Sequence, residues 1–186
     1  IENAGKNLLS IVNDILDISR IEAGKMEIRE DSYQLRSVLS DACNMVAFKA
    51  NEKGIDLRTE VEKTLPEELY GDEMHIRQVI TNLLNNAVKY TRKGTVTLSV
   101  HGETDAPCEP GSLIRLHIGV RDTGIGIRRE DAEKLFTKFE RIDLKENSTI
   151  EGSGLGLAIC KNLLDMMGGT ISVESEYGKG SLFTNR

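Results

Sequence analysis

Cysteine is scarce in this sequence and badly placed for pairing. Cys43, Cys108 and Cys160 are odd in number and far apart, with no two at metal-knuckle spacing. A disulfide framework or thiolate metal site is therefore excluded, and free thiols in a reducing compartment are expected. Long apolar runs are missing too: none approaches the ~20 residues of a membrane span. The hydrophobic fraction, 39%, is ordinary for a globular domain. Positive charge is in the minority. A net charge of −6 without a basic stripe disfavours duplex nucleic acid and anionic membranes as partners. The Walker pattern G-x-x-x-x-G-K-[ST] occurs nowhere, and Gly178-Lys179-Gly180 has the wrong neighbours for it. What remains is 186 residues, which suits one domain with an appendage or two small pieces, and is long enough for a real core. The chain opens in mid-pattern at Ile1 and stops at Arg186 after a strand-like SLF, so it reads as a piece of something longer.

The first pattern is helical. Ile1, Ala4, Leu8, Ile11, Ile15 and Ile18 recur at spacings of three and four, and Leu9, Val12 and Leu16 make a second seam beside them. A helix apolar on two adjacent stripes belongs in a bundle. It either folds back on the following domain or packs against partners outside this sequence or on a second chain; the latter is favoured. Glu22-Ala23-Gly24-Lys25 is its stop, with Gly24 at the cap.

Beyond it, MEIRED alternates and predicts a short strand over 26–31. Residues 34–52 place Leu35, Val38, Leu39, Ala42, Met45 and Val46 on one helical face ended by Gly54. IDLRTEV (55–61) alternates as a strand. Asp72 caps a predicted helix over 73–90 whose apolar face is Ile76, Val79, Ile80, Leu83 and Ala87. Strands are expected at 95–101 and 114–121, and a short helix over 129–136. A polar, pattern-free loop follows at 140–151, then a helix over 155–167 stopped by Gly168-Gly169, and a closing hairpin around EYGKG. Helices alternate with hairpin-joined strands, which implies a mixed sheet covered by helices on one face.

Three stretches carry chemistry. EGSGLGLAI (151–159) puts Gly152, Gly154 and Gly156 ahead of an apolar helix. No strand precedes them, so a dinucleotide fingerprint is excluded; a flexible linker and a phosphate site at a helix N-terminus both stay open. NLLNNAVKY (82–90) carries Asn82, Asn86 and Lys89 at i, i+4 and i+7 on one stripe. Asparagine is disfavoured inside helices. Here its oxygen suits Mg²⁺, a hard cation that takes its other ligands from water and phosphate, with the lysine as a point charge nearby; a solvated face is the plainer alternative. VRDTGIGI (120–127) ends a strand at Asp122 before two glycines. A carboxylate is a pure acceptor. It can take the exocyclic amine of adenine, where guanine presents an oxygen, and such a bond rejects the wrong base by roughly 10⁴-fold or more.

In this order the stretches resemble the catalytic and ATP-binding domain of bacterial sensor histidine kinases. NLLNNAVKYT resembles the family's N box, DTGIGI its first glycine box, FTKFER its F box and EGSGLGLAI its second glycine box. NDILDISRIEAGK resembles the end of the second helix of the dimerisation and phosphoacceptor domain. The resemblance implies a Bergerat α/β sandwich, a mixed sheet with three helices (34–52, 73–90, 155–167) on one face, preceded by one long bundle helix. It divides the chain into 1–24 and 25–186. It implies ATP and Mg²⁺ as cofactors. Asn86 holds the metal, Asn82 and Lys89 lie near the triphosphate as the catalytic pair, and Tyr90 lines the pocket. Asp122 binds the adenine amine, while Gly124, Gly126 and Ile127 form the wall by the base. Arg141 sits in the lid, 140–153, as a phosphate contact. Gly152, Ser153, Gly154, Leu155, Gly156 and Leu157 form the hinge and helix start. Phe136 and Phe139 either pack in the core or meet the acceptor helices.

The implied partners are ATP and ADP, a phosphoacceptor helix of the same or a partner protomer, and a response-regulator receiver domain. No nucleic acid is among them. The full-length protein is expected to be a homodimer with this piece cytoplasmic; many members of the family are anchored in the inner membrane, and whether the parent is one of them stays open at this point. Two departures matter. His75, His101 and His117 lack the phosphoacceptor context and read as structural, so the acceptor histidine is outside this sequence. The final strand stops early at SLFTNR and is expected to be short or frayed. Phosphotransfer to histidine competes with two alternatives, ATP hydrolysis and nucleotide-free docking. Superfamily hydrolases carry a Glu where Asn82 stands, and Asn cannot be a general base.

Overall fold

The computed structural model describes residues 2–104, 109–132, 134–137 and 154–186. Ile1, Cys108, Phe139, Arg141, Gly152, Ser153, the side chain of Ala4 and the lid stretch 140–153 lie outside the described residues. In chain order the elements are α1 (Glu2–Glu22), β1 (Asp31–Gln34), α2 (Leu35–Glu52), β2 (Ile55–Val61), β3 (Glu68–Gly71), α3 (Glu73–Tyr90), β4 (Gly94–Glu103), β5 (Arg115–Asp122), α4 (Arg129–Ala132), α5 (Gly156–Met166), β6 (Ile171–Glu176) and β7 (Gly180–Asn185).

Alternation builds the main sheet. Along β4, Val96, Leu98 and Val100 are buried while Thr97, Ser99 and His101 face away. The order is β2-β4-β5-β7-β6. β2 runs parallel to β4, and the other neighbours are antiparallel. α2, α3 and α5 cover the apolar face, giving the mixed α/β sandwich expected. The core lies between Val38, Leu39, Ala42 and Val46 of α2, Val79, Ile80, Leu83 and Ala87 of α3, Ile159 and Leu163 of α5, and Leu98, Val120 and Phe183 of the sheet. Asp72 caps α3 as predicted, its carboxylate accepting the His75 N–H at 3.0 Å. Burial pushes that carboxyl up. Bonds from the His75 and Arg29 backbone N–H groups and from the His75 ring outweigh it and hold the acid below its usual range. All three histidines sit in structural settings: His75 is buried against Asp72, and His101 and His117 stack in parallel at 4.7 Å on the open sheet face.

Five expectations need correction. The short strand is at 31–34, not 26–31. The partner strand β3 pairs with 31–34, and the Arg29 N–H goes to Asp72 Oδ2 at 2.8 Å instead of to a strand. Met45 is 64% exposed. The buried stripe of α2 drifts around the helix, so that Val46 and Ala50 face the core in its last turns. The helix after GIGI spans only Arg129–Ala132 before turns begin at 134. The last strand is not frayed: β7 pairs on both sides through Asn185, and Arg186 N donates to Thr170 O at 2.9 Å. Finally, α1 is neither wholly folded back nor wholly free. Ile18 is buried and Asp17 accepts from Gln78 of α3 at 2.7 Å, while Leu8, Leu9, Ile11, Val12, Ile15 and Leu16 remain exposed.

Candidate nucleotide site

The candidate site forms where α3, the loop after β5 and the start of α5 meet. Asn82, Asn86 and Lys89 occupy one half-buried stripe of α3, because the core claims the neighbouring Leu83, Leu84, Ala87 and Val88. Asn82 packs directly on α5: a methyl at Gly156 would lie 3.9 Å from Asn82 Cγ and 4.0 Å from its Nδ2. That amide nitrogen is buried with no satisfactory hydrogen-bond partner among the described residues. The Cys160 thiol beside it is a poor acceptor; burial pushes that thiol up to about 12, against a smaller opposing pull from Asn82. Lys89 Nζ stands 4.9 Å from the centroid of the Tyr90 ring.

The second wall is the turn from β5. Asp122 is 6% exposed at the strand end. Burial raises its carboxyl above the usual range, partly offset by the Gly124 and Ser181 backbone N–H groups; the Gly124 N–H reaches Oδ1 at 2.8 Å. Gly124 fits because it has no side chain. A Cβ there would lie 2.5 Å from Tyr90 O, 2.8 Å from Asp122 Oδ1 and 2.9 Å from Thr91 Oγ1. Gly126 has φ +66° and backs onto the Glu176 carbonyl so closely that a methyl would overlap it. The turn is tied on every side. Ile125 N donates to Tyr90 O at 3.3 Å, Gly178 N to Ile125 O at 2.7 Å, and Ile127 N to Ser175 Oγ at 2.8 Å.

The structure thus gathers Asn82 with Gly156, Lys89 with Tyr90, and Tyr90 with Asp122, Gly124 and Ile125. Asn86 shares the α3 stripe, and Gly126 and Ile127 continue the turn. Leu155 is buried and Leu157 half-buried, so their side chains belong to the core; what α5 offers a ligand is its backbone. The apolar Leu155 at its N-cap makes no side-chain cap bond, and the first turn holds no acid, so the positive end of the helix favours an anion. Sequence reasoning missed Thr91. It is fully buried, and its hydroxyl has no partner among the described residues. The signal was there in the sequence, since a hydroxyl next to the NLLNNAVKY stripe is out of place in a core.

These residues fit an adenine nucleotide. A buried acceptor, a hydroxyl without a partner among the described residues and a side-chain-free gap surround Gly124 for a base, while a buried amide and the N-terminus of α5 stand at the other end for phosphates. A metal cage of protein acids is not on offer: among the described residues no three His, Cys, Asp or Glu side chains converge. Mg²⁺ there would draw on asparagine oxygen and phosphate, which suits its preference for mixed protein, phosphate and water ligands.

Residues 71–186 match the family described as histidine kinase-, DNA gyrase B- and HSP90-like ATPases. Hybrid signal transduction histidine kinase L of Dictyostelium discoideum is 41% identical over 99% of this chain and 11% of its own length. Sensor protein GacS of Pseudomonas syringae pv. syringae is 41% identical over 98% of this chain and 20% of its own. The chain therefore spans a fifth or less of these relatives. Among solved structures, full-length ShkA in complex with AMPPNP superposes with a TM-score of 0.81 at 32% identity, over 98% of this chain and 36% of that one. The chain belongs to the histidine kinase-, DNA gyrase B- and HSP90-like ATPase family.

Proposed function

We propose that this chain is the ATP-binding part of a protein histidine kinase, donating the γ-phosphoryl group of Mg-ATP to a histidine on a helical bundle, for onward transfer to a response-regulator aspartate. In this reading residues 1–24 are the end of the acceptor bundle and 25–186 the catalytic domain. Asp122 accepts from the adenine amine, Asn86 holds Mg²⁺, and Lys89 and the start of α5 face the phosphates. When bound, ATP supplies the transferable phosphoryl group and Mg²⁺ offsets its charge.

The observation that carries the reading is position 82. A neutral amide, not a carboxylate, faces the α5 start, and an amide cannot take a proton from attacking water. Transfer to an imidazole needs no such base, because an imidazole nitrogen attacks with its own lone pair.

The test supplies a histidine-bearing two-helix acceptor in trans with radiolabelled ATP and Mg²⁺. Acid-labile label on the acceptor, with little free phosphate, is the expected result. Phosphate release without transfer would favour a hydrolase. Absence of ATP binding by the folded chain would leave a docking module.

A further inference from the structure

The end of α3 carries Lys89 and Tyr90 and leads straight to Thr91, so its rigidity decides how well the proposed site is preformed. A helix leaves its last carbonyls without intrahelical partners. Many helices satisfy them with a left-handed residue that folds the following N–H groups back. Here that device is absent: the cap residue Thr91 is extended, with φ −97° and ψ 121°, because the chain must turn directly into β4. Its N–H serves Ala87 O. The carbonyls of residues 88–91 must be held by something else.

Lys53 holds three of them. Its ammonium donates to Val88 O at 2.7 Å, Lys89 O at 3.0 Å and Thr91 O at 3.3 Å, matching three donors to three acceptors. The fourth, Tyr90 O, takes the Ile125 N–H of the base-side turn at 3.3 Å. All four consecutive carbonyls are committed, three to the C-cap residue of α2 and one to the glycine turn. Lys53 is itself anchored, since it caps α2 with its N–H on Lys49 O at 3.3 Å, and Ile55, two residues on, pairs with Gly94 at the start of β4. A cation at a helix C-terminus is also electrostatically favourable. Desolvation, with the nearby Lys49 adding to it, pulls the ammonium below its ordinary range, as a head group drawn off water onto carbonyls would be. Lys53 lies outside the family-matched residues 71–186.

We propose that Lys53 is a positioning residue for nucleotide binding: it pins the last turn of α3, and through Tyr90 O the 122–127 turn, in the geometry that receives adenine and phosphate. This rests on the nucleotide reading above. Without the clamp, ordering that turn becomes a cost of binding.

The experiment is calorimetric titration of the full chain with Mg-ATP in Lys53→Met, Lys53→Arg and Lys49→Met, with thermal melts of each. Lys53→Met keeps the stem and removes charge and donors; it should weaken ATP binding by about tenfold or more, as expected for losing charge-assisted bonds. Lys53→Arg should recover most of that loss, and Lys49→Met should bind as the parent does. Leu35→Ala, which truncates the core at the other end of α2, is the reference for global destabilisation and should bind nearly normally while it stays folded. Amide exchange at Ile125 should quicken in Lys53→Met and remain unchanged in Leu35→Ala; this readout needs no ligand. ATP affinity within twofold of the parent in Lys53→Met, or unaltered Ile125 exchange, overturns the assignment of Lys53 alone. Failure of the parent chain to bind ATP overturns the nucleotide reading and this role with it.

Discussion

Asp122, the proposed adenine contact, shows what burying a carboxylate costs before any ligand arrives. Its carboxylate is almost fully buried and accepts from the backbone N–H groups of Gly124 and Ser181. Desolvation outweighs those bonds and raises its pKa in the folded chain. The sign follows. The unfolded chain releases this proton near the ordinary carboxylate value and the folded chain only at a higher pH, so between the two the folded state holds more protons. Stability therefore falls as pH rises through the raised value and levels off above it. Asp122→Asn should remove that fall, leaving an apo domain at least as stable as the parent at neutral pH yet unable to select adenine. Paired melting curves across pH and ATP/GTP titrations measure both halves; unchanged ATP affinity in the variant would sink the base contact. Nucleotide binding by the parent should strengthen as pH rises through the same value, because the ionised acid is the better acceptor. At Asn86 the expected outcome is different. Asn86→Ala should keep ATP affinity in EDTA but lose the gain that Mg²⁺ gives, and persistence of that gain would place the metal ligand elsewhere.

At the scale of elements, the proposed site depends on two glycines, Gly124 and Gly126, whose positions admit no side chain. Gly126→Ala would face both a left-handed φ of +66°, worth about 1–2 kcal/mol, and overlap with the Glu176 carbonyl across the β6–β7 hairpin. The turn must move, and the expected result is loss of ATP binding out of proportion to a lower melting temperature. Truncating the core has the opposite signature. Leu83→Ala, at a position with no solvent exposure, should cost about 2–5 kcal/mol, read by denaturant unfolding, while ATP affinity in the surviving folded fraction stays near the parent's. Strong periodicity made most elements legible. β2 and α3 fall where the sequence puts them because their alternation and their Asp72 cap leave no competing assignment. The β1–β3 ribbon was not legible, because each strand has four residues and its register depends on long-range pairing rather than on a local pattern. The stripe Asn82, Asn86 and Lys89 was readable from helical spacing alone. The Lys53 clamp was not: it joins residues more than 30 positions apart through backbone carbonyls, which carry no sequence signal.

Across the whole molecule the unbalanced feature is α1. No helix among the described residues is long and apolar enough to cross a membrane, so its exposed side chains are not explained as a span. Ile18 and Asp17 dock one end on the domain, while Leu8, Leu9, Ile11, Val12, Ile15 and Leu16 leave two adjacent seams in solvent. Completing their burial is worth about 1 kcal/mol per side chain, against an association cost of ~4–15 kcal/mol. The balance across two such helices predicts reversible, concentration-dependent self-association rather than a permanent dimer. The double substitution Leu8→Glu with Ile15→Glu places charge on both turns of the seam without touching the docked end. It should give a monomer at every concentration, with stability within about 0.5 kcal/mol of the parent and ATP affinity unchanged, because the proposed site lies on α3, the β5 turn and α5. Sedimentation velocity across a dilution series decides it. A parent chain that stays monomeric at high concentration would mean that the seams alone do not drive pairing and that further bundle residues are required.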